Sequence, residues 1–514
     1  MTERFTGAIT TSLAEPWQEV FDLSTEELGV CWVNNSKSNG NTPYDPETSV
    51  YRSGEREVII PSKNGALLTA IKAMVRNAKE MVCVSSFLIQ QSRMTDALLE
   101  AANRGVAVFV LTAREDDLKK ADDDFVDFER ERIKDHIALL DQFAGKVLVR
   151  TSECFHAKYV LVDPRSEDPS GIMMTCNATV DPMFGSNIEV ALTLTSSEVR
   201  SFFAHFLRGF WAMADHELLE RGELRGVKKE IPASVSLGHL TLPATVGDVR
   251  SLEERVLGVI RNATNDLILT AWSFDSGSVH AAILDACRRG VRVTVLTRPN
   301  PRNTVALRDC AQAGARVFGH PRLHAKCVIA DGHTGLIMTA NMTALGLETG
   351  FETAVPLEGS TLDTLKRITE GWRGVCDWNL MDRVTPAMVD GSILQLSKEG
   401  TSLAPRTVSL GEERSLTAFM PDSCDKILEY SVSRKEIDRI MANDPQKVFR
   451  QLTLKQSIIP PRLPEGSKEE AQKDVPFPVF RKGKERHIVV RTWEEVRAAR
   501  EPARKLNAKI VVGE

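Results

Sequence analysis

The sequence predicts an α/β protein built from two similar halves, in which parallel strands carry helices packed on their faces. An internal repeat is the first reason: residues 75–88 resemble the segment from residue 260, and residues 98–112 resemble residues 283–297, both at an offset of 185 residues. The pattern inside each copy is the second reason. Helix, apolar strand, amphipathic helix and apolar strand alternate, which is typical of βαβ units and parallel sheets.

Single glycines indicate where helices end, and stripes of apolar residues indicate which helices face the core. The amphipathic helix of each copy should end near Gly105 or Gly290, because glycine accepts the left-handed φ that commonly follows a helix C-terminus. Each copy closes with a helix that carries an apolar stripe, which favours a core position. The stripe residues are Phe202, Phe203, Phe206, Phe210 and Trp211 in the first copy, and Leu362, Leu365, Ile368 and Trp372 in the second.

A short charged motif, His-x-Lys followed by Asp after four further residues, occurs once in each half. The two sets are His156, Lys158 and Asp163, with Asn177 and Glu189 downstream, and His324, Lys326 and Asp331, with Asn341 and Glu352 downstream. Both segments are rich in Val, Ile and Tyr, so we predict a β-strand that points His and Lys to one face. Lys is almost never buried unless paired, so a His–Lys pair on one face is better suited to an anion site than to a core. Two such pairs facing one another would place two imidazoles and two cations around one phosphate.

These motifs resemble the signature of the phospholipase D superfamily, and the resemblance covers roughly residues 60–385. It implies two lobes related by a pseudo-twofold axis, each a mixed sheet with helices on both faces, with the site in the cleft between them. One chain holds both motifs, so an oligomer is possible but is not needed to form the site. We expect an N-terminal extension (1–60), a first lobe (61–221), a connector (222–247), a second lobe (248–385) and a C-terminal region (386–514) with a proline-rich linker and a small basic segment.

The resemblance implies phosphodiester cleavage through a covalent phosphohistidine, with no cofactor and no metal. His156 is the expected nucleophile and His324 the expected general acid, although the near symmetry of the halves leaves this order open. Imidazole suits both tasks near neutral pH. Each downstream Glu could fix the orientation of an imidazole, and the motif aspartates are expected to support the motif. A zinc site at His320, His324 and His333 is an alternative, but Lys326 beside the ligand argues against it.

The residues around the two Asn bear on the substrate. Members of the superfamily often have GlySer two and three residues before the Asn, whereas this chain has Thr175 and Thr339 two residues before it, so a hydroxyl is retained. ThrAlaAsnMetThr at 339–343 resembles the SerAlaAsnLeuThr variant of bacterial nuclease-like members. We therefore predict a nuclease acting on DNA or RNA, in DNA processing or phage defence with a partner ATPase or helicase. The alternative is a phospholipase D or phosphatidyltransferase acting on phospholipids; two complete motif sets argue against a silent scaffold.

Composition limits the remaining classes. A hydrophobic content of 42%, a charged content of 26% and scattered cysteines predict a cytoplasmic globular protein with reduced thiols. No apolar run of membrane-spanning length and no basic, apolar leader is visible. A net charge of −5 means that a polyanion must be attracted locally. The acidic insertion at 114–134 is interpreted as a solvated helix or a flap over the site, and the basic residues of 481–514 as a solvated helix face or a nucleic-acid contact.

Overall fold

The structure is a computed structural model, and it describes most of the chain. The described residues are 31–34, 42–54, 56–113, 128–220, 223–381, 393–395, 407–409, 415–417, 466–472, 475–490 and 498–512. The chain divides into two compact units, residues 41–379 and residues 1–40 with 380–514. Most of the N-terminal extension, residues 114–127 of the acidic insertion and residues 458–465 of the proline-rich linker lie outside the described residues. The five predicted segments and the four boundaries between them stay a prediction.

The first half of the larger unit is a ten-stranded mixed sheet with helices. After β1 (Cys31–Asn34), its strands are β2 (Val50–Ser53), β3 (Arg56–Ile59), β4 (Met81–Ser85), β5 (Ala107–Thr112), β6 (Leu148–Thr151), β7 (Tyr159–Val162), β8 (Ser170–Met174), β9 (Ala191–Thr193), β10 (His216–Glu220) and β11 (Glu223–Gly226). The helices are α1 (Ala66–Arg76), α2 (Arg93–Asn103), α3 (Phe128–Phe143), α4 (Val180–Met183) and α5 (Ser196–Arg208), and a π-helical segment at Gly209–Met213 extends α5.

The second half repeats this plan. Its strands are β12 (Ala244–Val246), β13 (Val249–Arg250), β14 (Asp266–Thr270), β15 (Arg292–Thr297), β16 (Arg316–Gly319), β17 (Cys327–Ala330), β18 (Thr334–Met338) and β19 (Glu352–Leu357), and β20 (Trp378–Met381) follows. The helices are α6 (Ser251–Asn262), α7 (Ser278–Arg288), α8 (Pro301–Gln312) and α9 (Gly359–Val375), with a π-helical segment at Leu345–Thr349.

The strand order shows that the halves share one topology. The central strands run β6-β5-β4-β7-β8-β9 in the first sheet and β16-β15-β14-β17-β18-β19 in the second. In each sheet the first three of these strands are parallel to one another, and the motif strand, β7 or β17, pairs antiparallel with its neighbour β4 or β14. The predicted fold class, two α/β lobes with mixed sheets, is confirmed. Gly105 and Gly290 follow α2 and α7 with φ of +90° and +85°, as predicted for helix C-termini.

One hydrophobic core lies between the two sheets and is shared by both halves. Side chains of alternate residues in β4 divide between this core and a second one under α1 and α2: Cys83 faces the first, and Val82 and Val84 face the second. A strand buried on both faces reads as a continuous apolar run, which is why the sequence pattern of these strands is apolar rather than alternating. The predicted stripes on α5 and α9 fill the shared core.

The smaller unit contains short strands and one further helix. They are β1, β21 (Ile393–Gln395), β22 (Thr407–Ser409), β23 (Ser415–Thr417), β24 (Lys468–Glu469), β25 (Val479–Lys482), β26 (Glu485–Val490), α10 (Arg500–Leu506) and β27 (Ala508–Val512). Strands β24 to β27 form one sheet in which β26 and β27 are parallel. The interpretation of 481–514 as one solvated helix face is therefore wrong except for α10. Among the described residues, no helix has the length and apolar character needed to cross a bilayer.

Candidate active site

Each motif lies in the extended segment just before a central strand. His156 and Lys158 precede β7, and His324 and Lys326 precede β17, so the motif strand begins one residue after the Lys. The prediction of a regular strand across the whole motif is wrong for its first residues. The reason is visible in the hydrogen bonds, because this part of the backbone pairs with the other half of the molecule.

Backbone hydrogen bonds join each motif to the segment that precedes the downstream Glu of the other half. In one contact, Ala157 N donates to Phe351 O (2.8 Å) and Phe351 N donates to Cys154 O (3.1 Å). In the symmetric contact, Ile188 N donates to Arg322 O (2.7 Å), and Ile188 O accepts from Ala325 N (2.8 Å). Phe351 is followed directly by Glu352, and Ile188 directly by Glu189. The docking of the halves therefore carries each glutamate to the opposite motif.

The two histidines and two glutamates pair across the halves. His156 Nδ1 lies 2.5 Å from Glu352 Oε1, and His324 Nδ1 lies 2.6 Å from Glu189 Oε1. The glutamates are buried, whereas the His156 and His324 side chains keep 25% and 15% of their surface exposed. A carboxylate at Nδ1 fixes the proton on that nitrogen and leaves the lone pair on Nε2. Each half therefore orients the imidazole of the other.

Each glutamate carboxylate also accepts a hydrogen bond from a threonine of its own half. Thr175 Oγ1 donates to Glu189 Oε2 (2.6 Å), and Thr339 Oγ1 donates to Glu352 Oε2 (2.5 Å). These are the hydroxyls that precede the two Asn in sequence, so they support the site through the carboxylates. One oxygen of each carboxylate thus accepts a hydrogen bond from a threonine hydroxyl of its own half. The other oxygen contacts a histidine of the other half.

Both motif lysines are fully buried, and each donates from Nζ to the carbonyl of its own histidine residue. Burial lowers the pKa of Lys158 to about 7 and that of Lys326 to about 8, although Glu189 and Glu352 attract both ammonium groups and oppose the shift. Burial raises the pKa of each glutamate, but the histidine contact and the nearby lysines outweigh it and hold the pKa below its usual range. The site therefore holds two carboxylates and two lysine amino groups out of contact with water.

Both site histidines have pKa values below the usual range for imidazole. Burial lowers the pKa of His156, and it lowers that of His324 to about 3; the attraction of the paired glutamate opposes this in both cases, and the nearby lysines add to it. A neutral imidazole whose Nδ1 proton faces a carboxylate presents a nucleophilic Nε2. The same imidazole gains a proton more readily when an anion lies against it.

The two asparagines stand at equivalent places, directly after β8 and β18. Asn177 Oδ1 and Asn341 Oδ1 are buried and have no hydrogen-bond partner in the described part of the chain. A buried acceptor without a partner costs roughly 1–3 kcal/mol, and such atoms in a folded protein require an explanation. Because both atoms are acceptors, only a hydrogen-bond donor could complete them, whereas the Nδ2 groups of the same side chains could donate to an anion.

The two motif aspartates hold turns rather than face the histidines. Asp163 has φ of +47° and accepts hydrogen bonds from the backbone N–H groups of Lys79, Glu80 and Met81. Asp331 has φ of +52° and accepts from the N–H groups of Thr264, Asn265 and Asp266. Each aspartate thus ties the end of the motif strand to the start of the neighbouring strand, which agrees with a supporting role.

The contacts of His320 argue against the zinc alternative. His320 Nε2 lies 3.0 Å from Thr42 O, and its Nδ1 accepts from Arg322 N at 3.0 Å, so both ring nitrogens are engaged. In the residues that the structure describes, no three His, Cys, Asp or Glu side chains are grouped so that they could hold a metal ion. These contacts disfavour the zinc alternative, and the expectation of a metal-free site stays a prediction.

Three side chains near the histidines were missed from the sequence. The ring of Phe87 lies edge-on to His156 (5.6 Å between centroids), and that of Trp272 lies 6.0 Å from His324. These two aromatics are 185 residues apart, so the repeat offset could have identified them. Arg298 Cζ lies 5.8 Å from the centre of the Trp272 ring. Its equivalent in the first half is Ala113, so the repeat gave no signal for it.

The chain is similar to known proteins in sequence and in fold. The family model described as "Cardiolipin synthase, PLD-like domain" matches residues 71–213 and 256–370, about half of the chain. No curated protein sequence matches significantly.

Three solved structures are similar. A phospholipase D family member, Nuc, from Salmonella typhimurium is 22% identical over 24% of this chain and 88% of its own, with a TM-score of 0.22. Polyphosphate kinase from Porphyromonas gingivalis is 14% identical over 66% and 53% (TM-score 0.42), and phosphatidylserine synthase from Haemophilus influenzae is 11% identical over 65% and 89% (TM-score 0.43). With the family model matched once in each half, the chain belongs to the phospholipase D superfamily.

Proposed function

We propose that this protein is a metal-independent phosphodiesterase, and specifically a nuclease that cleaves DNA or RNA through a covalent phosphohistidine. The observation that carries the proposal is the crossed pairing of His156 with Glu352 and of His324 with Glu189. It gives two oriented imidazoles in one site together with two buried ammonium groups. In-line phosphoryl transfer needs such a nucleophile, a proton donor and fixed positive charge.

In the proposed reaction, His156 Nε2 attacks phosphorus and forms a P–N bond while the bond to the leaving oxygen breaks. His324, protonated once the anionic substrate is bound, gives its proton to that oxygen. It then takes a proton from water, which attacks the phosphohistidine and releases His156. Lys158, Lys326, Asn177 and Asn341 would bind the non-bridging oxygens, and the glutamates would stabilise each imidazolium as it forms.

Two features favour a nucleic acid as the substrate. The segment 339–343 has the nuclease-like pattern noted above. Each proposed catalytic histidine is also flanked by an aromatic ring, a group on which unpaired bases stack. The second candidate is phosphatidyl transfer, favoured by the description of the matching family as cardiolipin synthase. Action with an ATPase or helicase in phage defence stays a prediction.

The test compares end-labelled single-stranded DNA, duplex DNA and RNA with phosphatidylglycerol vesicles, all in the presence of EDTA. Variants His156→Ala and His324→Ala should each lose cleavage. The control His333→Ala, which replaces an exposed histidine in the same half as His324, should retain it. Acid-labile, alkali-stable phosphate on the trapped protein would identify the intermediate. Cleavage that requires metal and survives both histidine substitutions would contradict the mechanism, and turnover of the vesicles alone would favour the lipid reaction.

A further inference from the structure

The two halves of the site differ in the residues that surround His324. Trp272 there replaces Phe87, and Arg298 stands where the first half has Ala113. Arg298 Nη2 lies 3.5 Å from Asn187 Oδ1, an amide that belongs to the first half. The Arg298 charge contributes to lowering the pKa of both His324 and Lys326. Its guanidinium therefore belongs to the cleft, although it is no part of the repeated motif.

Both residues are held in place by one buried side chain. Asn303 Nδ2 donates to Trp272 O (2.9 Å) and to Arg298 O (2.8 Å), while Asn303 Oδ1 accepts from Phe274 N (2.9 Å). Asn303 is fully buried at the start of α8. The two loops that carry the indole and the guanidinium are thus fixed to each other, which is the preorganisation that a binding subsite requires.

The first half fixes its equivalent loops with a different residue. His136 Nδ1 lies 2.9 Å from Ile89 O, and His136 Nε2 lies 3.0 Å from Ala113 O. Ile89 and Ala113 occupy the positions of Phe274 and Arg298 in the repeat. Both halves therefore retain the scaffold, and in the described part of the chain only the second half has a cation at this position. An asymmetric substrate, one that continues on one side of the scissile phosphate, explains that difference.

We infer that Trp272 and Arg298 form a nucleotide subsite beside His324, in which an unpaired base stacks on the indole and the next phosphate of a single strand binds the guanidinium. This inference rests on the proposed nuclease function and names its substrate as single-stranded nucleic acid. Base stacking on aromatic side chains is independent of sequence, and a guanidinium matches the geometry of a phosphate. The separation of 5.8 Å between Arg298 Cζ and the centre of the Trp272 ring is near the limit of a cation–π contact.

The experiment measures binding of fluorescein-labelled octathymidylate and octauridylate to the full chain as a function of salt, in a His156→Ala background that prevents turnover. Trp272→Ala should weaken binding roughly 5- to 100-fold without changing the salt dependence, because stacking carries no charge. Arg298→Ala should also weaken binding and should flatten the slope of log K against log salt by about 0.7, the value for one phosphate contact on a single strand.

Matched variants separate a subsite from a structural effect. Arg298→Lys should retain the salt slope, Trp272→Phe should restore most of the affinity, and Arg316→Ala should match the parent in both. Arg316 is an exposed cation of the same half at the start of β16. A wild-type protein that cleaves oligonucleotides while Trp272→Ala and Arg298→Ala bind like the parent would overturn the subsite alone. A wild-type protein that turns over phosphatidylglycerol vesicles and neither binds nor cleaves oligonucleotides would overturn the nuclease function and the subsite with it.

Discussion

His156 Nδ1 contacts Glu352 Oε1 at 2.5 Å although 196 residues separate them in the chain. Glu189, the glutamate downstream of the first motif, contacts His324 of the second motif instead. Neither half can therefore orient its own histidine. The duplicated sequence forms one composite site, and the backbone bridges at Phe351 and Ile188 set its geometry.

Glu352→Gln should impair the orientation of the His156 imidazole, and Glu189→Gln should impair that of the His324 imidazole. An amide in place of the carboxylate can fix the wrong tautomer and cannot balance an imidazolium, so we expect kcat to fall roughly 10²- to 10⁴-fold. The pairing itself can be measured by proton NMR. The downfield imidazole N–H signal that disappears in His156→Ala should also disappear in Glu352→Gln and persist in Glu189→Gln.

Glu358→Gln provides the control for this experiment, because Glu358 is an exposed carboxylate just beyond the other end of β19. It should leave both kcat and the downfield signals unchanged. If Glu189→Gln removed the His156 signal instead, each half would orient its own histidine and the crossed arrangement would be wrong.

Thr175→Val should reduce both stability and activity. Thr175 Oγ1 donates to Glu189 and also accepts from Val190 N at 3.0 Å, so valine leaves two buried polar groups without a partner. We expect the free energy of unfolding to fall by about 1–3 kcal/mol and kcat to fall as Glu189 loses its anchor. Denaturant unfolding and steady-state kinetics measure the two effects. Thr175→Ser keeps the hydroxyl and should stay near wild type in both; equal losses in Ser and Val variants would show that the methyl group matters instead.

The buried Lys158 should make stability depend on pH. Burial lowers its pKa in the folded protein to about 7, whereas an unfolded lysine titrates near 10.4. Between these values the unfolded chain binds more protons, so the free energy of unfolding rises with pH through this window. Relative to Lys158→Met, the wild type should gain roughly 2 kcal/mol between pH 7 and pH 9.

Urea unfolding of both proteins at each pH measures this difference and cancels the titration of the other groups. Lys146→Met, a substitution of an exposed lysine in the same half, should show no such gain. A constant difference between wild type and Lys158→Met across the window would mean that Lys158 keeps an ordinary pKa in the folded protein.

Much of this site could be predicted from residue identity and spacing. The repeat offset and the two motifs predicted the halves, the fold class and the set of side chains that the structure brings together. The partner of each glutamate could not be predicted, because Glu189 and Glu352 follow their motifs at similar distances and either pairing satisfies the sequence. Only the docking of the halves through Phe351 and Ile188 decides between them.

Other features depend on contacts that no local pattern records. The first residues of each motif leave the regular strand because Ala157 and Ala325 donate to the other half rather than to a sheet neighbour. Arg298 was not predicted because it aligns with Ala113 in the first half. A search for similar residues in the two halves does not select a position at which they differ. The basic stretch after residue 481 reads as a helix face by charge, but Ile488 and Val490 are buried in a small sheet instead.

Asp331 should contribute to stability through its carboxylate and its backbone conformation separately. It accepts three backbone N–H groups and the Thr264 hydroxyl, and it adopts the left-handed φ that Asn and Gly tolerate but Ala does not. Asp331→Asn keeps an acceptor and should cost least, Asp331→Gly should lose about 1–2 kcal/mol with the hydrogen bonds, and Asp331→Ala should lose about 1–2 kcal/mol more through strain. Thermal or urea unfolding gives the order, and catalytic loss should follow the folded fraction in all three. If Asp331→Asn abolished kcat in a protein as stable as wild type, the aspartate would act in the reaction. A residue that only holds a turn would lower activity through loss of the folded protein.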